Sequence, residues 1–151
     1  MAALSNEDRN EMIKICVGKS EKALNSAILL SESNDFDGAA NRAYYSIFQS
    51  ENALLLTKGI LGNSHKHVHN VIAKEFVRLG ELPIDTFKKI QSVQVARTKG
   101  DYSGTEHVTK KEMENAISEA KEFLDNTKKL IAEFKLEQKK EKNLVEKVDL
   151  N

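Results

Sequence analysis

The chain has 151 residues, enough for one domain with a real core and too few for two independent ones. Lys plus Arg and Asp plus Glu each number 23, so net charge is zero and bulk electrostatics gives no drive for non-specific nucleic-acid binding. A lone cysteine, Cys16, excludes an internal disulfide and fits a reducing compartment. The absence of any run of about 18 apolar residues leaves no membrane association, so the chain is expected to be cytoplasmic.

One proline, few glycines, no period-2 alternation and no internal repeat predict an all-α protein. Helix 1 begins at Ser5, an N-cap followed three residues on by Asp8, and keeps an apolar stripe through Ile13, Cys16, Val17, Leu24 and Ile28 to about Ser31. Cys16 lies on that stripe and is read as packing. Asn34 or Asp35 caps helix 2, Asp35–Lys58, and Gly59 ends it. Helix 2 has two apolar stripes side by side, Phe36, Ala40, Ala43, Ile47 and Leu54 on one, Tyr44, Phe48 and Leu55 on the other. Two stripes require neighbours on two sides, so this helix is expected at the centre.

Ser64 caps helix 3, His65–Leu79, with Val68, Ile72, Phe76 and Leu79 inward, and Gly80 stops it. Pro83 suits the first turn of helix 4, roughly Ile84–Lys99, which turns Ile84, Phe87, Ile90 and Gln94 to one side. Gly100 and Gly104 bracket a loop. Thr109 with Glu112 forms a capping box for helix 5, whose apolar period runs from Met113 to Phe134. Residues 1–136 are thus expected to form an up-and-down antiparallel bundle of four to five helices. Residues 137–151, where charges of both signs dominate, extend helix 5 as a solvated rod or fray.

Arg42, Tyr44 and Tyr45 on helix 2, with Arg97, Asp101 and Tyr102 at the end of helix 4, form the first candidate site. Two guanidinium groups beside phenols suit a phosphate or a nucleotide, because arginine binds phosphate oxygens through two donors and stacks on bases. The alternative is an Arg97–Asp101 pair and two tyrosine hydroxyl bonds that only stitch helices 2 and 4 together. His65, His67 and His69 resemble a metal tract, but residues two apart on a helix point about 200° apart, so the three cannot converge and no metal is expected. They read instead as exposed residues at a helix start, with His65 a candidate contact beside the first site. No GxSxG, P-loop or GxGxxG motif is present, no cofactor is expected, and the glutamates are placed on solvated faces.

Arg42-Ala43-Tyr44-Tyr45, Phe48, Ala53-Leu54-Leu55, Gly59, Ser64-His65 and Arg97-Thr98-Lys99-Gly100-Asp101-Tyr102 together resemble the HEPN domain over roughly Leu4–Phe134. The resemblance implies a helical bundle that pairs as a homodimer with a cleft at the interface. Many members are metal-independent ribonucleases of toxin–antitoxin or antiviral systems, often beside a small nucleotidyltransferase; others bind nucleotides or nucleic acid. Family catalysis uses an arginine to hold the scissile phosphate and a histidine, separated from it by four to six residues, to assist attack by the 2′-hydroxyl. Arg97 matches the arginine. Tyr102 stands five residues beyond it where the histidine is expected, Asp101 precedes it, and His107 is ten residues beyond. The resemblance therefore implies a module binding RNA or a nucleotide through Arg42, Tyr44, Tyr45, His65 and Arg97. Beside a partner nucleotidyltransferase, Tyr102 or Tyr45 of such a module would be open to nucleotidylation. The alternatives are a ribonuclease toxin built on Arg97, Asp101 and Tyr102, or a non-catalytic interaction bundle.

Overall fold

The computed structural model describes residues 4–150. Its elements are α1 (Asn6–Glu32), α2 (Phe36–Thr57), α3 (His65–Ile72), a π turn (Ala73–Val77), α4 (Thr86–Tyr102) and α5 (Lys110–Asp149), with no strand among the described residues. The protein is an all-α bundle. Its helix starts follow the local chemistry: Ser5 accepts from Asp8 N, Ser64 from His67 N, and Thr109 and Glu112 cap each other reciprocally. Asp35 Oδ1 accepts from Gly38 N at 2.9 Å, and a Cβ at position 38 would lie 2.6 Å from the other carboxylate oxygen. Gly38 thus leaves room for the cap of its own helix.

Helix α2 touches α1, α3, α4 and α5. Ala39, Ala40 and Ala43 are fully buried and let its neighbours approach closely. Against α1 it presents Ser46 and Ser50; Ser20 bonds the Ser46 carbonyl at 2.7 Å and the Ser50 hydroxyl at 2.7 Å, so the small residues at this contact leave no orphaned hydroxyl. The main core gathers Tyr44, Ile47, Leu54 and Leu55 of α2 with Val68, Ile72, Phe76, Ile90, Val93, Met113, Ala116 and Leu124. A smaller cluster of Ile13, Ala53, Leu56 and Ile131 takes in the half-buried Cys16, whose thiol pKa is pushed up by burial.

Three boundaries differ from the sequence reading. Helix 3 is not one α-helix to Leu79: after Ile72 the chain widens into the π turn, which adds a residue to the repeat and rotates the positions beyond it. Phe76 stays buried, Leu79 swings out to 58% exposure, and Leu82 takes the inner place. Helix 4 begins at Thr86 rather than Ile84, because Pro83, Ile84 and Asp85 form a turn closed by Thr86 N to Pro83 O at 3.0 Å; Ile84 is 92% exposed instead of inward. At its other end α4 runs through Gly100 to Tyr102. This glycine serves close approach, since an added Cβ would sit 3.2 Å from the Asp37 backbone and 3.1 Å from Val108. Finally, α5 continues as a rod to Asp149, with almost every side chain beyond Phe134 exposed.

Candidate functional site

Extension of α4 by one turn decides the geometry of the site. It places Asp101 one turn below Arg97, with Asp101 Oδ2 at 2.9 Å from Arg97 Nε. That N–H is not aimed at the carboxylate, so the contact is an ion pair and not a formed hydrogen bond. The same Asp101 oxygen accepts from Asn41 Nδ2 at 2.9 Å, which ties the end of α4 to α2. Arg97 Nη2 donates to the hydroxyls of Tyr45 at 3.1 Å and Tyr102 at 3.4 Å, while the guanidinium carbon stands 5.2, 5.5 and 5.4 Å from the rings of Tyr44, Tyr45 and Tyr102. Three phenol rings therefore cage one cation. Arg97 Nη1 has no partner among the described residues.

Arg42 also lies over the Tyr45 ring, 5.0 Å from its centroid, and its only hydrogen bond among the described residues is from Nε to Asn41 Oδ1 at 3.0 Å. Tyr44 is fully buried and cannot itself meet a ligand; Tyr102, 71% exposed, can.

His65 joins the group from α3. Its ring stacks on Phe48 at 4.1 Å between centroids, lies parallel to Tyr44 at 5.6 Å and meets Tyr45 edge-on at 6.0 Å. Its Nδ1 is 2.6 Å from the Tyr44 hydroxyl. Burial, then the nearby charges of Arg97 and His69, hold its pKa below the ordinary value, so the ring is neutral at pH 7 and keeps an acceptor nitrogen. His65 and Arg97 make no bond to each other, but both pack on Tyr44 and Tyr45.

All seven residues singled out from the sequence meet at this place. Two others were misplaced. His69, read as exposed, is 5% exposed; Glu51, read with the glutamates on solvated faces, is fully buried. The two bond each other, Nδ1 to Oε2 at 2.8 Å, and His69 Nε2 reaches the Tyr44 hydroxyl at 3.1 Å. Burial drives the Glu51 carboxyl above its ordinary range against the pull of His69, and burial with the Glu51 charge drives the Tyr44 phenol up. The signal was in the spacing. His65 and His69 are one turn apart, and Tyr44, Phe48 and Glu51 follow the i, i+4, i+7 face of α2 that meets them. His107 lies elsewhere, pairing with Asp37 at 2.8 Å.

The chain is thus a helical bundle with a tyrosine-caged arginine where α2 and α4 meet, and similarity to known proteins places it further. The HEPN domain model matches residues 13–131, and the chain belongs to that family. Two proteins of Methanocaldococcus jannaschii, each named "Putative toxin", are 36% identical: one over 123 residues, 82% of this chain and 83% of the relative, the other over 134 residues, 89% and 99%. A "UPF0332 protein" of Thermotoga maritima is 29% identical over 128 residues, 85% of this chain and 97% of the relative. Among the described residues no helix is long and apolar enough to cross a membrane.

Proposed function

We propose that the Arg97 cleft binds a phosphate of RNA or of a nucleotide, and that the protein works within a toxin–antitoxin or nucleotidyltransferase-linked system. One observation carries the reading. The Arg97 guanidinium is held by tyrosine hydroxyls through Nη2 and keeps Nη1 unspent among the described residues, with a second, sparsely bonded guanidinium, Arg42, also over the Tyr45 ring. A pre-oriented arginine pair among exposed phenol is suited to hold phosphate oxygens and stack a base. The toxin names of the two archaeal relatives support the setting. Val95 and Tyr102, exposed on the outer side of α4, are proposed as the surface where a second copy pairs, and residues 1–136 as the self-sufficient bundle.

A second reading is favoured by His65 lying against the same tyrosines. As a metal-independent ribonuclease, the site would hold the scissile phosphodiester with Arg97 while a base takes the 2′-hydroxyl proton. The deciding experiment is RNA binding and RNA cleavage in EDTA, wild type against Arg97→Ala, matched for helicity. Loss of binding of at least about tenfold in Arg97→Ala, with a salt slope smaller by roughly one, is the expected result. Unchanged binding by the variant sinks the proposal. Cleavage by the wild type, abolished in the variant, selects the ribonuclease reading over the binding module.

A further inference from the structure

Glu51, His69, Tyr44 and His65 form one unbranched chain of hydrogen bonds, 2.8, 3.1 and 2.6 Å long, running from the middle of the bundle to the tyrosines that cage Arg97. Only its last member, His65, is part-exposed; the other three are nine-tenths buried or more. Each inner link has one donor and one acceptor, so the direction of the whole chain is set at its buried end.

With Glu51 ionised and His69 neutral, His69 Nδ1–H donates to Glu51. Its Nε2 then accepts the Tyr44 O–H, and the Tyr44 oxygen accepts from His65 Nδ1–H. His65 Nε2, which bonds nothing among the described residues, is left as a lone pair. One extra proton on the pair, whether on Glu51 or on His69, makes His69 donate to the Tyr44 oxygen. Tyr44 must then donate to His65 Nδ1, and His65 carries its proton on Nε2. The two bonds of Tyr44 reverse together in either case, and the Glu51–His69 bond reverses as well when the proton sits on Glu51.

The geometry points to His65 as the group that exchanges a proton with an RNA held by Arg97, and to Glu51, His69 and Tyr44 as a buried relay that positions it. His65 stands where Asp101 and Tyr102 do not: Asp101 is engaged by Arg97 and Asn41, and Tyr102 has no acceptor behind it. The inference rests on Arg97 as the phosphate holder and adds the acid–base group. In the step, His65 Nε2 takes the 2′-hydroxyl proton, the 2′-oxygen bonds to phosphorus, and the phosphorus–5′-oxygen bond breaks. The departing oxygen takes a proton from water. The products are a 2′,3′-cyclic phosphate and a 5′-hydroxyl. His65 then returns its proton to solvent, or passes the equivalent proton from Nδ1 through Tyr44 and His69 to Glu51. The charged and titratable groups around the relay are Arg97 of α4, Tyr45 of α2, and Lys66 of α3, which lines the same cavity as His69.

Two measurements test this separately from the phosphate reading. In the free protein, nitrogen NMR of the His65 ring between pH 5 and 9 reports its tautomer. The wild type is expected to move from protonated Nε2 toward Nδ1–H as pH rises, Glu51→Gln to lose that pH response, and Tyr44→Phe to settle on the Nε2–H form that an isolated imidazole prefers. A wild-type tautomer that does not change with pH, or a Tyr44→Phe response like the wild type's, overturns the relay whatever the protein does to RNA. In EDTA with a single-stranded RNA, His65→Gln is expected to keep binding and lose about 10²- to 10⁴-fold in cleavage. Tyr44→Phe is expected to move the acid limb of the pH–rate profile. RNA bound through Arg97 but not cleaved, or cleaved equally by His65→Gln, overturns the proton role. Absence of any Arg97-dependent binding overturns the phosphate reading, and the NMR result still judges the relay.

Discussion

Replacing His69 with alanine should destabilise the fold in a way that depends on pH with a definite sign. In the wild type the Glu51 carboxylate is fully buried with Oε2 bonded to His69 and Oε1 without a hydrogen-bond partner among the described residues. Removing the imidazole leaves both oxygens without a partner. Breaking a buried pair by deleting one member costs about 3–5 kcal/mol when the remaining group stays charged. If the carboxyl is protonated the penalty is that of a neutral unsatisfied group, about 1–3 kcal/mol. Burial raises the folded pKa of Glu51 above 4.5, and the His69 bond opposes that rise. A carboxyl with a raised folded pKa contributes stability below its unfolded value and loses it as pH climbs through the folded value. Without His69 the rise is larger, so the variant loses stability with pH over a longer range, at up to about 1.4 kcal/mol per unit. Urea unfolding followed by circular dichroism at pH 5, 6, 7 and 8 measures this directly, and taking the difference between the two proteins cancels titrations they share. The expected gap is about 1–3 kcal/mol at pH 5 and about 3–5 kcal/mol at pH 8, with most of it recovered in Glu51→Met/His69→Leu. Parallel pH dependences of wild type and His69→Ala would refute the charged, buried Glu51.

Gly100→Ala adds helix propensity of about 1 kcal/mol yet pushes a methyl against the Asp37 backbone at 3.2 Å, so net destabilisation of about 1–2 kcal/mol is expected in urea titration. A gain in stability would show that α4 does not approach α2 so closely. Thr109→Ala removes the side-chain half of the α5 capping box, the bond from Glu112 N, and should cost about 1 kcal/mol; a change below about 0.3 kcal/mol would mean the cap is not formed in solution. Ending the chain after Leu136 deletes a rod that is exposed almost throughout, and the unfolding midpoint should stay within a few degrees, because an isolated helical extension adds little to the core. A collapse of the transition would place the boundary of the bundle further along.

Much of the fold was legible because the amphipathic periods of α1, α2 and α5 are long and their caps are local. The central place of α2 was readable in its two stripes, and its contacts extend to every other helix. Legibility failed at positions where tertiary contact overrides a local signal. Gly100 reads as a helix stop, but it is the glycine at which α4 meets the start of α2, and the helix continues past it. Leu79 fits the α period of helix 3, but the π turn shifts the register after Ile72. Charge misled in the same way: a glutamate among polar neighbours reads as solvated unless the helix is covered on that side as well. Glu51 sits one residue after Ser50 and two before Ala53, on a face where His69 of α3 packs against it.

The central place of α2 also explains why its buried polar side chains matter chemically. A helix with neighbours on several sides must satisfy each polar group it buries, and Ser46, Ser50 and Tyr44 are satisfied within the bundle. Glu51 is not: one oxygen is orphaned, and its ionisation is opposed by burial. A leucine or methionine there, with an apolar partner at position 69, would fill the space at lower cost, since a buried ion pair seldom outperforms well-packed hydrocarbon. Packing therefore does not account for the pair. Its other connection matches the proposed relay: among the described residues the hydrogen bonds of Glu51 lead through His69 and Tyr44 to His65, which packs on the tyrosines that cage Arg97. Strained electrostatics at the centre of a small bundle, wired to its polar cleft, is the arrangement expected of groups kept for proton movement.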